Sequence, residues 1–157
     1  MPIVGPLTRP ELIFPDLAAA DAREVLRTFA ERLAAAGVVA DAAALYRALW
    51  EREQLGSTGI GHGVALPHCK LKGMDQAVVA VGVVEPAIDF GSPDGEPVAV
   101  FFLVLSPAEE PAEHLQVLAR VSRWVRTEGH VAALRGLADP RRGAGRDAIY
   151  DYLRESL

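Results

Sequence analysis

The run Val98-Ala99-Val100-Phe101-Phe102-Leu103-Val104-Leu105 is apolar at every position. A half-exposed strand or an amphipathic helix would interrupt it with polar residues at the outward positions. A short unbroken run of branched and aromatic residues therefore reads as a strand buried on both faces. A second such run, Ala77 to Val84, lies just upstream, and Asp89 to Pro97 between them carries turn chemistry in Pro93-Asp94-Gly95. Further out the period becomes helical. Asp21 and Glu24 have the spacing of a capping box, and Ala22, Val25, Leu26, Phe29, Leu33 and Ala36 recur on one face that Gly37 closes. Asp41 caps a second expected helix, with Ala42, Leu45 and Leu49 inward, which stops at Gly56. Val64 to His68 reads as a short strand. Beyond Leu105 a helix is expected from Pro111 to Arg126 with Leu115, Leu118, Ser122 and Val125 inward, Pro111 suiting its first turn. A shorter helix carries Val131, Leu134 and Leu137, and a last one Ile149, Tyr152 and Leu153. Helices before and after near-continuous apolar strands predict an α/β fold. The expected architecture is a three-layer sandwich, a mixed β-sheet covered by helices on both faces.

Composition bounds the function. The length of 157 residues suits one domain, residues 1–157, with no internal repeat. Hydrophobic residues make up 50% and charged residues 24%, a globular balance. A formal net charge of -5 and a pI near 5.4 disfavour nucleic acid, because polyphosphate repels an acidic chain. One cysteine excludes an internal disulfide and any all-thiolate zinc site. The apolar runs fall far short of the ~20 residues that span a bilayer. Met1 to Pro10 shows no apolar signal-peptide core, so a cytoplasmic protein without membrane insertion is expected. Pro140 to Arg146 is a short loop rich in Arg and Gly.

The segment that carries chemistry is Arg52-Glu-Gln-Leu-Gly-Ser-Thr-Gly-Ile-Gly-His-Gly-Val-Ala-Leu-Pro-His68. Gly56, Gly59, Gly61 and Gly63 permit positive φ and close backbone approach. Backbone N–H groups and the Ser57 and Thr58 hydroxyls can then face an anion. No Gly-Lys-Ser/Thr follows, so this is not a Walker loop, and a strand rather than a helix follows, unlike a dinucleotide fingerprint. Taken alone, the loop is a weak signal for phosphate. His68 follows Pro67, which fixes its own φ and restricts Leu66. A neutral imidazole at that position can act as a nitrogen nucleophile, but a lone His there is more often a hydrogen-bonded structural group.

Gly61-x-Gly63-Val-Ala-Leu-Pro-His68 resembles the phosphorylation-site signature of the fructose/mannitol/nitrogen class of IIA proteins in the bacterial phosphoenolpyruvate-dependent phosphotransferase system (PTS). Arg52-Glu53 lies upstream where the family carries an Arg at a helix end. His114-Leu115-Gln116 lies downstream where it carries its second His. The order of elements fits from about Leu7 to the C-terminus. The resemblance implies that His68 is the phosphoryl acceptor, attacking through Nε2. The implied donor is a phosphohistidine on the small carrier HPr or its nitrogen-branch paralogue. It implies that Arg52 and His114 stabilise the phosphoryl group, that no metal or other cofactor is needed, and that a IIB domain or regulated target proteins lie downstream. A unit charge about 4 Å from the phosphoryl group is worth roughly 4 kcal/mol at an effective dielectric near 20, before solvent screening. Without the resemblance, Arg52 reads as a surface ion-pair residue and His114 equally as a helix-surface residue.

His62 reads as a loop residue near the site, and His130 as a surface residue near a helix start. No His pair has the close spacing of a zinc site. Cys69, directly after His68, does not resemble a second acceptor; its exposure and pKa decide its reactivity. Gly56-Ser-Thr-Gly-Ile-Gly and Lys70-Leu71 resemble the nitrogen-regulatory branch more than the mannitol one. A fructose- or mannitol-type component that passes the group to a IIB cysteine is the alternative. A IIA-like binding module without phosphotransfer is a third reading.

Overall fold

The computed structural model describes residues 8–143 and 145–157, so the signal-peptide reading of Met1 to Pro10 falls largely outside it. In chain order the elements are β1 (Ile13–Phe14), α1 (Ala22–Ala35), α2 (Ala42–Gln54), β2 (Gly59–Gly61), β3 (Val64–Ala65), β4 (His68–Leu71), β5 (Val78–Ile88), β6 (Val98–Pro107), α3 (Pro111–Arg126), α4 (His130–Ala138) and α5 (Gly145–Ser156). Short 3₁₀ turns occupy Pro10–Leu12 and Pro140–Arg142, the second within the loop expected there.

The helix ends follow their sequence signals. Asp21 caps α1 by accepting the Glu24 N–H at 2.9 Å, and the Glu24 carboxylate reaches back to the Ala20 N–H. At the other end Gly37 adopts φ +79° and donates to Ala34 O, while Val38 donates to Leu33 O, a Schellman closure. Asp41 caps α2 through the Ala44 N–H at 3.1 Å.

The sheet is mixed, in the order β1-β5-β6-β3-β2, with β4 also paired to β6. The apolar run Val98 to Leu105 lies at its centre: β6 pairs antiparallel with β5 and parallel with both β3 and β4. All ten residues of β6 are buried. Val100, Phe102 and Val104 pack with Val117, Val121, Trp124, Leu134, Ile149 and Leu153 of α3–α5. Phe101, Leu103 and Leu105 pack on the opposite side with Val25, Leu26, Phe29, Leu33, Leu45 and Leu49 of α1 and α2. Both faces being covered explains why the run does not alternate. The three-layer sandwich with a mixed sheet is thus the observed fold. Among the described residues no helix is long and apolar enough to cross a membrane.

Three details differ from the sequence reading. The expected strand Val64 to His68 is two strands, β3 and β4, both against β6. Pro67 between them has no N–H to give to a ladder, though its carbonyl still accepts the Val104 N–H at 2.9 Å. His68 therefore opens a strand instead of ending one. Strands β1 and β2, two and three residues long, carry too little pattern to be foreseen. Helix α3 has the expected limits but is turned by about one residue. His114, Val117, Val121, Trp124 and Val125 face inward, and Leu115 is 67% exposed. Two apolar stripes compete on this helix, and the one holding Trp124 buries the larger surface.

Candidate functional site

The parallel register of β4 on β6 sets the site. His68 lies opposite Val104 and Lys70 opposite Ser106. With a side-chain period of two, His68 and Lys70 share the face toward α3, while Cys69 and Leu71 pack into the α1–α2 core. Helix α3 starts four residues beyond β6 and brings His114, in its first turn, over that same face. The His68 and His114 rings are 5.3 Å apart between centroids and tilted by 51°.

Each ring is held through Nδ1. His68 Nδ1 lies 2.7 Å from Leu66 O. A carbonyl only accepts, so Nδ1 carries the proton and Nε2 keeps its lone pair. His114 Nδ1 lies 2.7 Å from Ser106 Oγ, in a buried contact. Burial lowers the pKa of His68; the bond to Leu66 O opposes this, the Arg52 charge adds to it, and Glu53 pulls it back. His114 is pushed down to about 4, by burial first and then by His68 and the Lys70 charge. His114 is therefore neutral at pH 7 in the resting protein, so it offers a hydrogen bond there, not the unit charge considered from the sequence. It is also only 7% exposed, so the helix-surface alternative does not hold.

Helix α2 delivers the second part. In its last turn Arg52 Nη1 donates to Gly56 O at 3.0 Å. The next residue, Glu53, clamps the loop: Oε2 accepts the Thr58 N–H at 2.8 Å and Oε1 the Thr58 hydroxyl at 2.6 Å. Ser57 donates its hydroxyl to Phe90 O at 2.8 Å and accepts the Gly59 N–H at 3.0 Å. The Ser57 and Thr58 hydroxyl protons are thus both spent inside the protein. Past them the chain turns through Gly61, His62 and Gly63, at φ +86°, +60° and +74°. Positive φ at His62 is uncommon for a non-glycine residue.

The remaining sequence candidates lie as follows. His62 is exposed and borders the α3–α4 junction at Thr127 to Gly129. His130 is tethered, not simply a surface residue: it stacks on Trp124 at 4.8 Å, and its Nδ1–H donates to Trp124 O at 3.0 Å. Burial pushes the Cys69 thiol up to about 12, which leaves it protonated and a poor nucleophile at neutral pH. A cavity of about 510 Å³ between residues 15–18, Val83, Glu85, Arg135 and residues 138–141 shares no lining residue with the histidine cluster.

Sequence reasoning missed Ser106 and the Glu53 clamp, and singled out Lys70 only for the family branch. Ser106 had a readable signal, since it is the one polar residue in β6. Lys70 had one too, at i+2 from His68 on the same strand face.

Comparison with known proteins agrees with the fold. The family model described as "Phosphoenolpyruvate-dependent sugar phosphotransferase system, EIIA 2" matches residues 6–153. A nitrogen regulatory protein of Bradyrhizobium diazoefficiens is 36% identical over 153 residues, 98% of this chain and 95% of that protein. A PTS fructose-specific EIIA component of Haloferax volcanii is 39% identical over 88 residues, 56% of this chain and 57% of that protein. The crystal structure of the nitrogen regulatory protein IIA-Ntr from Neisseria meningitidis superposes with a TM-score of 0.81 at 25% identity, covering 96% of this chain and 99% of that one. With the family model matching residues 6–153, a relative 36% identical over 98% of the chain and the fold shared over 96% of it, the chain belongs to the EIIA 2 family of the phosphoenolpyruvate-dependent sugar phosphotransferase system.

Proposed function

We propose that this protein is a phosphocarrier in which His68 Nε2 accepts a phosphoryl group from a phosphohistidine on HPr or its nitrogen-branch paralogue. The observation that carries this reading is the 2.7 Å bond from His68 Nδ1 to Leu66 O, which leaves the Nε2 lone pair free beside His114. In the transfer, Nε2 attacks phosphorus in line as the donor's P–N bond breaks and returns its electron pair to the donor imidazole. His68 keeps its Nδ1 proton, and Leu66 O stabilises the positive charge that the ring acquires. One P–N bond replaces another of similar energy, so positioning and electrostatics supply the catalysis and no metal is invoked. His114 and Arg52 stabilise the transferred oxygens, Arg52 by releasing Gly56 O. Ser57 and Thr58 shape the loop through Phe90 and Glu53, and its backbone carries any contact to the phosphoryl group.

The nitrogen-regulatory branch is favoured, supported by the full-length likeness to a nitrogen regulatory protein. Phosphorylation of His68 then decides which target proteins are bound. The sugar-uptake alternative, delivery to a IIB cysteine, is supported by the shorter likeness to the fructose-specific component. Intact-mass analysis after incubation with phosphoenolpyruvate, the first enzyme of the system and each carrier separates these readings. One acid-labile phosphoryl group is expected, absent in His68→Ala, whose fold should persist. Preference for the nitrogen-branch carrier supports regulation; preference for HPr supports uptake. No transfer to the folded protein from either carrier would leave a binding module.

A further inference from the structure

The two active-site rings are held by different kinds of partner. Leu66 O can only accept, whereas Ser106 Oγ can donate or accept. Ser106 has no exposed surface, and among the described residues its side chain has one hydrogen-bond partner, His114 Nδ1. Were Nδ1 to carry the proton, His114 would donate to Oγ and the Ser106 hydroxyl proton would be buried without an acceptor. Such an orphan costs the desolvation of the group. The opposite assignment satisfies both atoms: Ser106 donates, Nδ1 accepts, and the single proton of the neutral ring sits on Nε2. The position also fits this purpose, since Ser106 is the sole polar residue of a strand otherwise packed for burial, and its register partner is the cation Lys70.

We infer that Ser106 is a positioning residue that fixes His114 as the Nε2–H tautomer, so that this ring presents a neutral hydrogen-bond donor to the phosphoryl group while His68 presents a lone pair. The two histidines then hold opposite tautomers, each set by one neighbour, and the site holds nucleophile and donor ready without a proton transfer. The use of the donor rests on the phosphocarrier reading; the tautomer does not.

Long-range proton–nitrogen correlation spectra of the ¹⁵N-labelled, unphosphorylated protein test the tautomers directly. For the wild type, His114 is expected to show a protonated Nε2 and a bare Nδ1, and His68 the reverse. In Ser106→Ala the His114 nitrogens should move toward an averaged pair. Transfer from the phosphorylated carrier should slow about tenfold, less than loss of the donor itself would cost, at an unchanged carrier KM. Ser106→Thr keeps the hydroxyl and should restore both readouts. A wild-type His114 protonated at Nδ1, a Ser106→Ala protein with unchanged spectrum and rate, or a Ser106→Thr protein as slow as Ser106→Ala would each overturn the inference. A wild type with the expected spectrum that accepts no phosphoryl group would instead overturn the phosphocarrier reading, and with it the use of the donor.

Discussion

His114 illustrates how one neighbour changes what a residue can do. From sequence it is a stabiliser that the family resemblance implies, weighed as a unit charge; in the fold it is buried, neutral and hydrogen-bonded to Ser106. Replacing it with Ala should leave His68 the acceptor but slow transfer by about 100-fold, the usual effect of removing one preorganised donor. Single-turnover kinetics with phosphorylated carrier would show this, and equal rates for variant and wild type would remove His114 from the mechanism. Arg52 and His68 were legible as candidates through the family resemblance, which rests on their spacing to the glycine segment. Ser106 stood out only as the one polar residue of an apolar run; its partner was not legible, because the turn between β6 and α3 is what brings residues 106 and 114 together. Cys69 was equally undecided in sequence, and the alternation of β4 settles it by turning the thiol away from the His68 face.

At the scale of elements, β5 and α1 meet through a missing side chain. A Cβ at Gly82 would lie 2.6 Å from Phe29 Cζ and 3.1 Å from Leu17 Cδ2. Phe29 is fully buried between Phe14 and Phe101, with ring centroids at 5.9 and 6.4 Å, so it has little room to yield. Gly82→Ala should destabilise the fold by about 1–3 kcal/mol, the range for overpacking a core. A lower urea midpoint at unchanged slope would report it; an unchanged midpoint would mean that Phe29 moves freely. The existence of the helices and the two long strands was legible from capping residues and apolar runs. Strands β2, β3 and β4 were not separable, since two to four residues carry almost no period and only pairing with β6 defines them. The inward face of α3 was misread for a related reason: a helix with two apolar stripes is oriented by what it packs against.

For the whole molecule, the buried histidines link stability to pH. The folded pKa of His114 lies at about 4, below its ordinary value of 6.5, so the unfolded chain binds the proton first on acidification. Stability is therefore fully present above about pH 6.5 and declines as pH falls toward 4. His68, lowered chiefly by burial, acts in the same direction. Asp139, whose exposed carboxyl Arg141 holds at about 2 against 3.8, loses its contribution only below that window. Melting temperatures from pH 7.5 to 4.5 at fixed ionic strength should fall more steeply for the wild type than for His114→Gln. Parallel curves would mean that His114 titrates normally in the fold.

By itself the sequence determined the layers, the helix ends and the family, because apolar runs, capping residues and the Gly61-to-His68 signature are local in the chain. Only the tertiary structure decided which face of α3 is buried, where β3 ends and β4 begins, and which protons the two histidines carry. Those depend on strand register and on hydrogen bonds across the fold, such as His114 to Ser106, and burial in the assembled core sets the charge of each group.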